Sequence, residues 1–306
     1  MRSRRDQHPQ KDYRSTEQRN PDSIDLDRFS AAQIVRLMIR EDRKVALAVG
    51  KELPAIAKAV DAIVHAIEAG GRLFYVGAGS SGRMAVLDAA EIAPTFGTPP
   101  RLVQALIAGG ARAVTSAVEG AEDAAGHGAR DLRARKFGGK DIVVGIAASG
   151  TTPYVLGALK YARRCGATII ALTSNRHVPI TRLADIVIAP EVGPEVVTGS
   201  TRLKAGTSQK LVLNMLSTGA MVRLGHVYEN LMIDAMLTNK KLEQRALRML
   251  AEASGKSVSA GRRALRQAGH DIRVALVILK RGATAAEAGQ LLARAGGNLR
   301  RALGEL

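Results

Sequence analysis

With 306 residues, 46% of them hydrophobic, the chain can bury a full core and carry a small domain beside a large one. A single cysteine, Cys165, excludes an intrachain disulfide and a thiolate metal cluster, and six histidines scattered without ligand spacing point to no metal site. The net charge of +17 raises nucleic acid as a partner, but aromatics are only 3% and the basic residues interleave with apolar periodicity, so the charge reads as solvated helix faces and no nucleic acid is expected.

Residues 1–14 hold five Lys or Arg and two Asp with almost nothing apolar, and read as a disordered basic tail. That stretch has no apolar core of a secretory signal. Nor does any uninterrupted apolar run approach the roughly 20 residues of a membrane span, so a soluble, cytoplasmic protein is expected. The segment STEQRNP (15–21) is too polar for core and suits contact with a neighbouring subunit. Apolar spacing predicts helices over 31–40 and 44–68, the second ended by Gly70-Gly71.

The body then alternates short apolar strands (73–76, 102–107, 142–146, 168–172 and 186–189) with helices. Nearly continuous apolar strands separated by helices predict an α/β fold with a parallel sheet covered on both faces. Ligands of such sheets bind beyond the carboxyl ends of the strands. The loops there are unusual. GAGSSGR (77–83) joins strand to helix, and its glycines, hydroxyls and free N–H groups suit a phosphate. It also satisfies G-x-G-x-x-G, yet the next strand runs into Ala108-Gly109-Gly110 without the carboxylate a dinucleotide site needs.

Three more loops follow the same logic. ASGTTP (148–153) follows the third strand, with Pro153 suited to a first helical turn. Gly109-Gly110 leads through a helix to VEGAED (118–123), and VTGSTRLKAGT (197–207) precedes a helix over 208–223. Each alone reads as a capped turn; several on one sheet edge read as a site. Glu91 ends the helix opened by the first loop, where a carboxylate opposes the macrodipole, while Glu119, Glu122 and Asp123 cluster about Gly120. Spacing alone leaves all four as surface acids or site acids. Beyond 225 the pattern is helical: a long helix over 230–253, then a repeat of AGHDIRVAL (268–276) in AGGNLRRAL (295–303), 27 residues apart, each copy turning at glycine and capping a helix with Asp271 or Asn298.

The loops GAGSSGR and AASGTTPY resemble the two phospho-sugar loops of the sugar isomerase (SIS) domain. The chain is more closely similar to the N-acetylmuramic acid 6-phosphate etherase family, through TEQRNP (16–21), LDAAEIAPTFG (87–97), LIAGG (106–110), AVEGAED (117–123), VVGIAASGTTPYV (143–155) and EVVTGSTRLKAGTSQKLVLNMLSTG (195–219). It departs at Ile92-Ala93, where Cys-Pro is common in the family.

The resemblance implies a three-layer αβα SIS sandwich over 48–240, preceded by an arm and helix (15–47) and followed by a ubiquitin-associated-like helical domain (241–306). It implies cleavage of the D-lactyl ether of N-acetylmuramic acid 6-phosphate by elimination and hydration, with no cofactor and no metal. The family's catalytic pair falls on Glu91 and Glu122. Ser80, Ser81, Ser149, Thr151 and Thr152 would bind phosphate or sugar hydroxyls, and Glu119 would accept from the substrate. Ser200 and Lys204 would close the site, Lys204, on charge alone, meeting the lactyl carboxylate. A homodimer with the site near the subunit boundary is implied too. Other classes on the same loops are a non-catalytic sugar-phosphate sensor like the glucokinase regulatory protein, which has two tandem copies of the domain, and an aldose–ketose isomerase. A nicotinamide oxidoreductase lacks its carboxylate here.

Overall fold

The computed structural model describes residues 13–234, 237 and 240–305; of the tail expected over 1–14, residues 1–12 lie outside this range. Three short 3-10 turns lead to α1 (Ala31–Gly50). Ser30 starts it: its hydroxyl accepts from the Gln33 N–H while the Gln33 side chain accepts from the Ser30 N–H. The sequence suggests a break near 41–43, yet α1 runs through it. Glu41 does not interrupt because it stands on the buried stripe with Leu37, Val45 and Ala48, and its charge is met there by the buried Lys204. The break falls instead at Lys51-Glu52, before α2 (Leu53–Glu68), where Pro54 in the first turn disfavours continuation.

Five strands follow: β1 (Leu73–Gly77), β2 (Val103–Ile107), β3 (Ile142–Ile146), β4 (Thr168–Leu172) and β5 (Ile186–Ile188). They form one parallel sheet in the order β2-β1-β3-β4-β5. The helices between them are α3 (Gly79–Phe96), α4 (Arg112–Thr115), α5 (Ala125–Ala134) and α6 (Pro153–Arg164), and α7 (Lys204–Arg223) follows β5. Side chains alternate across the sheet. Leu73, Tyr75, Ile142, Val144, Ile146, Ile170 and Leu172 share one core with α1, α2, α3 and α7. Phe74, Val76, Val143, Ile169 and Ala171 share the other with α5 and α6. These are the three layers of the α/β sandwich that the loops imply.

Register places the loops side by side. Gly77 pairs with both Ile107 and Ile146, and Ile146 pairs with Leu172, so four strands end at one level and their loops emerge in a row. The chain leaves β1 toward β2 on one side and returns to β3 on the other, which opens the crevice where such sheets bind ligands.

The C-terminal helices are α8 (Lys240–Ser254), α9 (Val258–Gln267), α10 (Ile272–Arg281), α11 (Ala285–Arg294) and α12 (Leu299–Leu303). The helix expected from 230 begins ten residues later: Tyr228 and Leu231 form an isolated bridge there, and Tyr228 and Ile233 fold into the C-terminal core. Five helices among the described residues share that core. The repeat is present in both copies. Asp271 caps α10 through the Arg273 and Val274 N–H groups, and Asn298 caps α12 through the Arg301 N–H. Among the described residues no helix is long and apolar enough to cross a membrane.

Candidate active site

The first loop brings backbone donors to the crevice. Ala78 caps α3 without a side-chain bond, so the N–H groups of Gly79, Ser80 and Ser81 open the helix toward the strand ends. Ser80 is half-buried and Ser81 buried. Gly82 is dictated by packing: a Cβ there would stand 2.5 Å from Ile107 Cγ1. Arg83 spans outward, donating to the Val114 and Ser116 carbonyls at 3.1 Å each, and so holds the segment that leads to the acidic loop. That loop curls at Gly120 (φ +68°) and brings Glu119 and Glu122 to a cleft of about 160 Å³ shared with Ala78, Gly79 and Arg83.

Glu91 lies elsewhere. The helix does not end there but continues through Pro94 to Phe96, with Gly97 in the left-handed conformation closing it. Gly79 and Glu91 are therefore separated by about 18 Å of helix axis at 1.5 Å per residue. Glu91 is exposed on the outer face, one turn beyond the exposed Leu87. The phase of α3 is set by Asp88, buried on its inner face. Its carboxylate accepts from Tyr75 Oη at 3.0 Å and Ser217 Oγ at 3.1 Å, tying α3 to β1 and α7. Burial pushes the Asp88 carboxyl up against the pull of those bonds, and burial together with the Asp88 charge pushes the Tyr75 hydroxyl well up. Within the chain Glu91 and Glu122 are not brought together.

The second loop follows β3. Ser149 Oγ accepts from the Thr151 N–H (3.3 Å) and hydroxyl (3.1 Å), and Thr152 caps α6 without a side-chain bond. Gly150 has φ +73°, and a Cβ there would meet Val178 Cγ2 at 2.2 Å. Asn175, buried at the end of β4, props the loop by donating to the Ala148 carbonyl at 2.9 Å. Its Oδ1 accepts from the Ser15 N–H, at 2.9 Å, and its Nδ2 reaches Thr16 Oγ1. The arm thus lies on the loop, and Arg14, placed in a disordered tail by its composition, donates to Thr151 Oγ1 at 3.2 Å.

Lys204 departs from its expected role. It is 1% exposed, and its ammonium donates to Glu41 Oε2 at 2.6 Å, inside the protein. Asn20 also donates to Glu41 and to the Pro194 carbonyl. Glu195, buried beside them, accepts from the Lys204 and Ala205 N–H groups and caps α7, which therefore starts four residues before the expected Ser208. Burial raises the Glu195 carboxyl against those bonds. Lys204 fixes the last loop rather than facing a ligand; Ser200, half-buried in that loop, remains at the surface. Charge alone suggested a substrate contact. The signal for the buried pair was Glu41 four residues from both Leu37 and Val45. Among the described residues no three His, Cys, Asp or Glu side chains gather as a metal-binding set.

A profile of the glucokinase regulatory protein N-terminal SIS domain matches residues 55–163, and a general SIS-domain profile matches 124–219. The N-acetylmuramic acid 6-phosphate etherase of Symbiobacterium thermophilum is 55% identical over 267 residues, 87% of this chain and 89% of that protein. This chain belongs to the N-acetylmuramic acid 6-phosphate etherase family. The etherase of Erwinia tasmaniensis is 51% identical over 288 residues, 94% of each chain, so the etherase likeness takes in the C-terminal helices as well as the SIS body. A phosphoheptose isomerase from Francisella tularensis shares the fold of the body, with a TM-score of 0.52 at 21% identity over 63% of this chain and 100% of that one.

Proposed function

We propose that this chain cleaves the D-lactyl ether of N-acetylmuramic acid 6-phosphate, giving N-acetylglucosamine 6-phosphate and D-lactate in cell-wall recycling. The observation that carries the reading is the likeness to etherases along 94% of the chain. In the opened sugar, carbon 2 lies beside the aldehyde and carries an acidic proton. A carboxylate base takes it, the electron pair forms the carbon 2–carbon 3 double bond, and the ether bond breaks as a carboxylic acid protonates the departing oxygen. Water then adds at carbon 3 and a proton returns to carbon 2. The two loops on neighbouring strands hold the phosphate through Ser80, Ser81, Ser149, Thr151 and Thr152, and Glu119 accepts from a sugar hydroxyl.

Glu122 and Glu91 are the acid–base pair, and their separation in one protomer requires a second copy. The outer face bearing Glu91 supports this: Leu87 on α3 and Met215 and Val222 on α7 are exposed apolar residues on two packed helices. In a two-fold homodimer such a face covers itself, and Glu91 of one copy approaches Glu122 of the other. A cytoplasmic location goes with a phosphorylated substrate. Incubation with N-acetylmuramic acid 6-phosphate and assay of D-lactate is the test. Lactate release is expected; tight sugar-phosphate binding without lactate would make the protein a sensor instead.

A further inference from the structure

The cores of the sheet and of the C-terminal helices meet at the segment between α7 and α8. Leu224 and Val227 pack against the first, while Tyr228 and Ile233 belong to the second. Asp234 follows them, and its side chain is 5% exposed. His226 Nδ1 lies 2.6 Å from its Oδ2, and Arg273 Nε, from α10 of the C-terminal domain, lies 2.8 Å from its Oδ1.

The same residue bears on the end of α3. Gly97 closes that helix at φ +62°, and a Cβ there would stand 2.4 Å from the Asp234 carbonyl oxygen. The Phe96 ring meets the His226 ring edge to face, 6.4 Å between centroids. Within these last turns Pro94 has no N–H to give the Ala90 carbonyl, and its ring crowds that oxygen. The backbone therefore fixes the direction of this stretch less firmly than that of a helix without proline. Glu91 lies in it, between Ala90 and Pro94.

We propose that Asp234 and Arg273 are positioning residues for Glu91: through them the C-terminal domain holds the last turns of α3 and so directs that carboxylate. This rests on the reading that Glu91 belongs to the acid–base pair. Neither side chain has to touch substrate. Arg273 fixes the Asp234 carboxylate, the Asp234 backbone seats Gly97, and Gly97 ends the turns that carry Glu91. Proton transfer requires hydrogen-bond reach, and a misplacement of about 1 Å can cost about 10²-fold in rate.

The test is kcat for D-lactate release by the full chain and by its Asp234→Ala, Arg273→Met and Arg273→Lys variants. Each is also titrated with N-acetylglucosamine 6-phosphate, which counts the folded sites. Asp234→Ala and Arg273→Met are expected to lower kcat about ten- to hundredfold at unchanged stoichiometry and affinity, and Arg273→Lys to recover part of the loss. Adding Asp234→Ala to Glu91→Gln should cost nothing further, since the effect passes through Glu91. Parental kcat in Asp234→Ala and Arg273→Met would overturn the proposal. So would a kcat that falls only in step with the number of sites titrated, the mark of misfolding, or an equal further loss in the Glu91→Gln background. If Glu91→Gln itself turns over normally, Glu91 is not catalytic and the proposal falls with that reading.

Discussion

Lys204 and Glu41 meet at 2.6 Å with each side chain 1% exposed, joining the first turn of α7 to the middle of α1. Removing one member strands the other's charge. Lys204→Met should cost about 3 kcal/mol, the lower end for broken buried pairs, because Lys44 and Asn20 still reach Glu41. Replacing both members by apolar residues should cost less than Lys204→Met alone. Burial pushes the Glu41 carboxyl up, but bonds and charge from Lys204 and Lys44 outweigh it and hold it below its ordinary value of 4.5. A depressed carboxyl stabilises the fold fully above that value, and the gain is lost as pH falls through the folded pKa. Urea midpoints for the parent and Glu41→Gln should therefore converge on acidification. Parallel curves would show that Glu41 is not the titrating group.

Changed singly to Gln, the two proposed catalytic glutamates should fail differently. If Glu122 is the base, Glu122→Gln loses both lactate release and exchange of the carbon 2 proton with deuterated water. Glu91→Gln then loses release while still exchanging, since deprotonation does not need the acid. Losses of about 10²- to 10⁴-fold are expected. The opposite pattern exchanges the two roles, and normal turnover in both variants removes them from the mechanism.

A site shared between copies makes a further prediction that a site within one copy does not. Glu91→Gln and Glu122→Gln are each inactive alone, but a dimer with one of each contains one intact site. Unfolding and refolding an equal mixture should restore about a quarter of parental activity, since half of the dimers are mixed and each has one working site of two. A mixture as inactive as its components would refute the shared site.

Ser149→Ala and Thr151→Ala should each weaken sugar-phosphate binding by about 1.5–3 kcal/mol, the range for hydrogen bonds to a charged group. Because Ser149 Oγ accepts from Thr151, the double change should lose less than the sum. Calorimetric titration checks both, and full additivity would mean that the two hydroxyls act separately.

The sheet was legible because its strands are apolar on both faces and bounded by glycine-rich turns, a pattern that needs no partner to be read. Helix ends were less so. The charged run Glu41-Asp42-Arg43-Lys44 looks like a loop until Lys204, 163 residues on, supplies what Glu41 pairs with. Pro94 looks like a stop for α3, and the helix passes through it. At the site, the loops announced themselves by composition. Asn175 did not, since it ties the second loop to Ser15, 160 residues away in the chain.

That α3 is one unbroken rod from Gly79 to Phe96 makes it a ruler with a phase. Adding one residue between Leu87 and Glu91 would turn everything beyond it by about 100° and carry Glu91 off the face of Leu87. Adding four would nearly restore the direction but push the carboxylate about 6 Å along the axis. Substitutions along the exposed side leave both settings intact. The length of this helix is therefore under tighter constraint than its surface composition, and families of this architecture should tolerate sequence drift in α3 far better than a change in its residue count.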